Sequence, residues 1–251
     1  MGAILKKIQQ AGTSGTHLLA ILIDPEKFEN SAASDFLSQL PKETTHFFIG
    51  GSSCTAAETQ RTVSAIKKKT TLPVVLFPGA HHQLSKEADA ILFLSLVSGR
   101  NPVYLIDQHI KSVSALRTMN IEIISTGYLL IDGGHQSAIE RVSETSSMAQ
   151  SDVQLIVDTA LAAQFQGKQL IYLEAGSGAL KTVSEEIITA VKKEISIPLI
   201  VGGGVTSANQ LAKLYHAGAD MVVVGTAFET GNWNNTITEH ASSKNKNYER
   251  I

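Results

Sequence analysis

One cysteine, Cys54, stands among 251 residues, so the chain has no intramolecular disulfide to draw on and suits a reducing compartment. As a nucleophile Cys54 ranks low, because it sits between a strand and a helix where a small residue is expected, and no histidine can be assigned as its base. Long apolar runs are missing as well. The N-terminal MGAILKKIQQ has no apolar core of the kind a secretory signal needs, and no run reaches the length of a membrane span. Lys6 occupies the position where an N-myristoylation signal carries Ser or Thr. Charge is sparse: charged residues make up 18% of the chain, the formal net charge is −2 and the basic residues are dispersed, which excludes a nucleic-acid footprint. These absences lead us to expect a cytoplasmic protein without stable membrane insertion, touching membranes only through a substrate.

What the chain does have is 43% hydrophobic residues, enough for a large core, and a length that suits a single domain over 1–251. Its organising stretch lies at 198–228: an apolar strand, Gly202-Gly203-Gly204, a helix capped by Thr206 or Ser207, a second apolar strand, and Gly225-Thr226. Similar apolar runs at 17–24, 46–49, 73–77, 90–97, 121–124 and 169–174 alternate with helical patterns. Strands that are apolar throughout are buried on both faces, as in a parallel sheet covered by helices. The pattern predicts an α/β fold, a (β/α)8 TIM barrel. Its alternation falters once, at 80–89, which is too short for a crossover helix. Where the third helix should lie we expect an irregular segment and a groove in the outer wall. The run after strand five is expected to bend at Gly127, helix four to run to about Met119, the polar tract 135–151 to be a mobile loop, and the tail after Asn232 to be a helix that frays.

In barrels of this class chemistry sits at the C-terminal ends of the strands, and phosphate is held by the loops after strands seven and eight. The paired glycine turns at Gly202-Gly203 and Gly225-Thr226 read as a phosphate site rather than as tight turns alone. Asp24 ends strand one, where a carboxylate serves as a Mg²⁺ ligand or as part of an Asp-Pro turn. Ser52 follows strand two and either donates its hydroxyl to a metal or phosphate or caps the next helix. Lys27 has a weaker claim. Arg100, after strand four, either reaches a phosphate with its planar fork or pairs with a surface carboxylate. The adjacent His81 and His82 do not share a helix face, so a metal site there is not expected, and His109 reads as packed or exposed rather than catalytic. Strand six ends in the richest rim, Tyr172, Leu173, Glu174, Ala175, Gly176, Ser177 and Gly178, which combines an aromatic, a carboxylate and a small-residue turn.

Taken together, LIDP at Leu22, IGGS at Ile49, YLEAGSG at Tyr172, VGGG at Val201 and VVVGTA at Val222 resemble the geranylgeranylglyceryl phosphate synthase and heptaprenylglyceryl phosphate synthase family, the PcrB-like prenyltransferases. LIDPEK, SGRNP and STGY look more like its second group. The likeness covers most of the chain and implies a modified (β/α)8 barrel that lacks the third helix. It implies transfer of a prenyl group, geranylgeranyl by the family's name, from a polyprenyl diphosphate to the 3-hydroxyl of sn-glycerol 1-phosphate with release of diphosphate, Mg²⁺ as cofactor and a homo-oligomer. By motif match Asp24 and Ser52 would hold Mg²⁺. Residues 172–178, Gly202, Gly203, Gly225 and Thr226 would bind glycerol 1-phosphate, and Glu174 would take the proton of the acceptor hydroxyl. One position departs: many relatives carry lysine where this chain has Leu22, and Arg100 is the candidate substitute contact to phosphate. The prenyl chain would lie beside Phe77, Leu92 or Phe93. The readings that compete with this one are another phosphate-binding barrel enzyme, an isomerase or an FMN oxidoreductase, and a phospholigand-binding barrel without catalysis.

Overall fold

The computed structural model describes residues 2–234, so the helix expected after Asn232 falls largely outside the described residues. Eight strands, β1 Leu18–Ile23, β2 Thr44–Ile49, β3 Val74–Leu76, β4 Ala90–Leu96, β5 Glu122–Leu130, β6 Leu170–Glu174, β7 Leu199–Gly202 and β8 Met221–Val224, form a closed parallel barrel in sequence order. The barrel closes where Leu18 on β1 meets Met221 on β8. The helices are α1 Ala3–Ser14, α2 Ala33–Ser38, α3 Ala56–Lys67, α4 Gln108–Leu116, α5 Ala138–Ser143, α6 Val153–Phe165, α7 Glu185–Glu194, α8 Ala208–Ala217 and α9 Thr226–Glu229.

Side chains alternate across each strand, and both faces are apolar because both are covered. Ala20, Phe48, Val75, Leu92, Tyr172 and Val223 fill the interior. Their neighbours Ile21, Phe47, Val74, Ile91, Leu173 and Val222 form the layer beneath the helices. The floor is closed by α1, whose Ile4, Leu5, Ile8 and Ala11 join the interior cluster. Its first turn is fixed by Glu122 at the start of β5, which accepts the Ile4 and Leu5 N–H groups at 2.7 and 3.0 Å. Among the described residues no helix is long and apolar enough to cross a membrane.

Residues 77–89, between β3 and β4, contain no helix. Gln83 pins the segment from within: it is 1% exposed, accepts the Gly79 N–H at 2.7 Å and donates to the Cys54 carbonyl at 3.0 Å.

Two expectations need correction. Strand five runs unbroken for nine residues through Gly127, because Gly127 lets α6 approach the sheet: a Cβ there would lie 3.0 Å from Ala163. Helix four is present and ends at Leu116. It opens with a π-helical turn, Val103–Asp107, a geometry that widens the backbone and recurs at functional sites. The polar tract 135–151 is folded rather than a loose loop. Ser137 and Glu140 form a capping box at the start of α5, and the Glu140 carboxylate also takes the Ser147 N–H and hydroxyl at 3.0 and 2.9 Å.

Candidate active site

A cavity of about 450 Å³ opens at the C-terminal ends of the strands. It continues past the end of β3 onto the outer face of β4, where Ile91, Phe93, Leu84 and His109 line it. That extension occupies the side of the barrel that no helix covers between β3 and β4. Phe77, Leu92 and Phe93 all line the cavity, so one end is apolar and the other, beneath the glycine rims, is polar.

Strand parity decides which rim residues face inward. On β6, Tyr172 and Glu174 point into the barrel with Leu170. Leu173 and Ala175 pack outward beneath the helices, so their side chains do not line the cavity. Glu174 is 6% exposed, and one of its oxygens accepts the Gly176 N–H at 2.8 Å. Burial pushes its carboxyl up to about 7, against the opposing pull of that N–H and of the neighbouring Tyr172 hydroxyl. The Tyr172 hydroxyl lies alongside the carboxylate but reaches hydrogen-bond geometry with no described group, leaving a buried polar atom free at the cavity. Burial, and then the Glu174 charge, hold the Tyr172 and Tyr128 phenols well above their ordinary range, so both stay neutral.

The glycine at position 202 is required by this arrangement. A Cβ there would collide with the Tyr172 hydroxyl and come within 2.8 Å of a Glu174 oxygen. Gly203 adopts φ +87°, in the left-handed region, and a Cβ there would meet the other Glu174 oxygen at 2.6 Å. Among the described residues the N–H groups of Gly178 and Gly204 have no intramolecular partner, which suits an anion. Across the opening the Ser177 and Thr226 hydroxyls meet at 3.1 Å, joining the rims of β6 and β8, and Gly225 and Thr226 both line the cavity.

Asp24 continues the inward parity of β1 and lies at the polar end with Ser52. Its carboxylate accepts the Glu26 N–H at 3.1 Å and sits against the β2 rim, where a Cβ at Gly51 would come within 2.6 Å. Among the described residues no three His, Cys, Asp or Glu side chains converge as a metal cage. One rim carboxylate beside a hydroxyl suits Mg²⁺, which takes few protein ligands and fills its octahedron with water and substrate phosphate. Leu22 lines the same wall; a Cβ at Gly225 would lie 3.4 Å from it. Arg100 does not line this cavity. Its guanidinium bonds the Val97 and Gly99 carbonyls at 3.2 and 2.7 Å and borders a separate depression with Glu144 and Thr145.

Sequence reasoning passed over several residues that the structure brings to the cavity: Tyr128, Ile139, Gln108 and Glu229. A strand longer than four residues through STGYLL would have carried Tyr128 to the rim, and TAFE places a carboxylate one helical turn after the last glycine rim.

A PcrB family model matches residues 13–244. A geranylgeranylglyceryl phosphate synthase from Zunongwangia profunda is 56% identical over 231 residues, covering 92% of this chain and 99% of the relative. The enzyme of that name from Pyrococcus furiosus is 38% identical, covering 84% of each. Among solved structures, (S)-3-O-geranylgeranylglyceryl phosphate synthase from Thermoplasma acidophilum, in complex with its substrate sn-glycerol-1-phosphate, superposes with a TM-score of 0.84 at 34% identity. It covers 91% of this chain and 92% of that one.

Proposed function

The chain belongs to the PcrB family, and from that premise we propose that it is a prenyltransferase joining geranylgeranyl diphosphate to the 3-hydroxyl of sn-glycerol 1-phosphate, with release of diphosphate, in ether-lipid synthesis. The observation that carries the reading is Glu174, a buried carboxylate placed between a rim of unpartnered N–H groups and an apolar groove. Its surroundings match both halves of the substrate pair.

In this reading the N–H groups of Gly178 and Gly204, with Ser177 and Thr226, hold the phosphate of the acceptor, and the Tyr172 hydroxyl and Glu174 orient its glycerol. The prenyl chain lies along Phe77, Leu92 and Phe93, with the diphosphate at the Asp24 and Ser52 end. As the bond between prenyl carbon 1 and the diphosphate oxygen lengthens, that carbon gains cationic character. The acceptor oxygen bonds to it, the electron pair leaves with the diphosphate, and the hydroxyl proton passes to a Glu174 oxygen. Holding both reactants in one water-poor cavity supplies much of the acceleration. Asp24 and Ser52 would hold Mg²⁺, which when bound neutralises charge building on the leaving diphosphate. Arg100 has no part in this account. We further propose a cytoplasmic homo-oligomer. The lone buried Cys54 fits a reducing compartment, and Ile106 in the π-helical turn with Ile110 and Val113 on α4 are apolar and exposed.

The experiment that separates an enzyme from a phospholigand-binding barrel is Glu174→Gln. The variant should bind sn-glycerol 1-phosphate within a few-fold of the wild type by calorimetry while losing transfer by about 10²- to 10⁴-fold. Equal transfer rates would remove Glu174 from the chemistry.

A further inference from the structure

Two charged residues at the polar end of the cavity, Lys27 and Glu229, take no part in the steps above. Glu229 projects from α9, just after the β8 glycine rim. One of its oxygens accepts the Asp24 backbone N–H at 3.3 Å, and the other lies 3.4 Å from the Lys27 ammonium. That ammonium is also 3.3 Å from an Asp24 carboxylate oxygen. A single cation thus bridges two carboxylates, and the three side chains differ in burial. Those of Asp24 and Glu229 are 18% and 17% exposed and fixed by neighbouring backbone, whereas that of Lys27 is 57% exposed. The Asp24 to Lys27 turn, in which the Asp24 carbonyl accepts the Lys27 and Phe28 N–H groups at 3.1 Å each, keeps the lysine stem beside the carboxylates but leaves its end free to turn.

We infer that Lys27 is a built-in counter-ion of the Asp24 and Glu229 carboxylates, which a divalent cation displaces and whose released ammonium then binds the diphosphate of the donor. The inference rests on the proposed function and deepens it by assigning roles to two further residues and an order to binding. With the ammonium in place the trio carries a net negative charge and opposes a diphosphate. With a divalent cation on the carboxylates and the ammonium released, the cluster turns positive and attracts one. Cation binding therefore precedes donor binding, and an exposed lysine is suited to the exchange because its ion pairs are weak and screened.

The test uses Mn²⁺ as the probe, titrated by the loss of its free electron-spin signal into the full chain without substrate. Inorganic diphosphate is then titrated calorimetrically at saturating Mn²⁺. Lys27→Met should bind Mn²⁺ about two- to fivefold more tightly than the wild type, the factor of one lost exposed ion pair, and bind diphosphate about tenfold more weakly. Glu229→Gln should weaken Mn²⁺ binding, and Lys27→Arg should restore wild-type diphosphate affinity. A purely structural role for Lys27 would weaken both ligands, so tighter Mn²⁺ binding is the distinguishing sign. Unchanged or weaker Mn²⁺ binding in Lys27→Met, with the wild type binding normally, overturns the inference alone. Failure of the wild type to bind Mn²⁺, both without substrate and with diphosphate present, overturns the metal reading and the inference with it.

Discussion

Glu174 makes a prediction that needs no substrate. Its carboxyl has an ordinary value of 4.5 and is pushed up to about 7 in the folded chain, chiefly by burial. Between those values the folded protein holds a proton that the unfolded chain has released. Stability is therefore full below pH 4.5 and is lost as pH rises through 7. At 1.36 kcal/mol per unit, ionising Glu174 in place costs about 3 kcal/mol at pH 8. Glu174→Gln keeps the shape and an acceptor for the Gly176 N–H but removes this term. The variant should melt about 6–12 °C above the wild type at pH 8, and the gap should close by pH 5. Differential scanning calorimetry without ligand is the assay, since phosphate substrates titrate in the same range. The free-enzyme profile of kcat/KM should rise with an apparent pKa near 7. Equal melting temperatures at pH 8, or an acid limb near pH 4.5, would refute an uphill buried carboxylate.

Two further perturbations test other parts of the account. Gly202→Ala would drive a methyl group into the Tyr172 hydroxyl and the Glu174 carboxylate, so transfer should fall by about 10²-fold or more while the circular dichroism spectrum is kept; wild-type kinetics would mean that the rim is not tightly built. His46 is 3% exposed inside the barrel floor and is pushed down to about 4, first by burial and then by the Lys7 charge. A depressed histidine supports the fold above its unfolded value of 6.5 and loses that support as pH falls toward 4. Urea unfolding should show His46→Gln removing up to about 3 kcal/mol of acid sensitivity between pH 7 and pH 4, and identical pH slopes would exclude His46 as the cause.

The barrel was legible because its strands are apolar on both faces, and the site was legible where sequence alternation carries over into inward and outward parity. Asp24, Tyr172 and Glu174 face the cavity for that reason, and Leu173 and Ala175, which belong to the same motif, do not. The groove beside β4 could be anticipated because ten residues cannot hold a crossover helix. What sequence did not carry was which groups each side chain bonds. Glu140 folds the polar tract through Ser147, seven residues on, where composition indicated a loop. Arg100 bonds the carbonyls of its own turn after β4, although its position at a rim pointed to phosphate. Glu229 meets Lys27 across 202 residues, a contact that only barrel closure brings about.

The central claim is tested most directly by incubating the protein with sn-glycerol 1-phosphate, Mg²⁺ and prenyl diphosphates of fifteen to thirty-five carbons, with and without EDTA, and analysing the products by mass spectrometry. The account predicts a prenylglyceryl phosphate formed with geranylgeranyl diphosphate and abolished by EDTA. No product with any donor would contradict it.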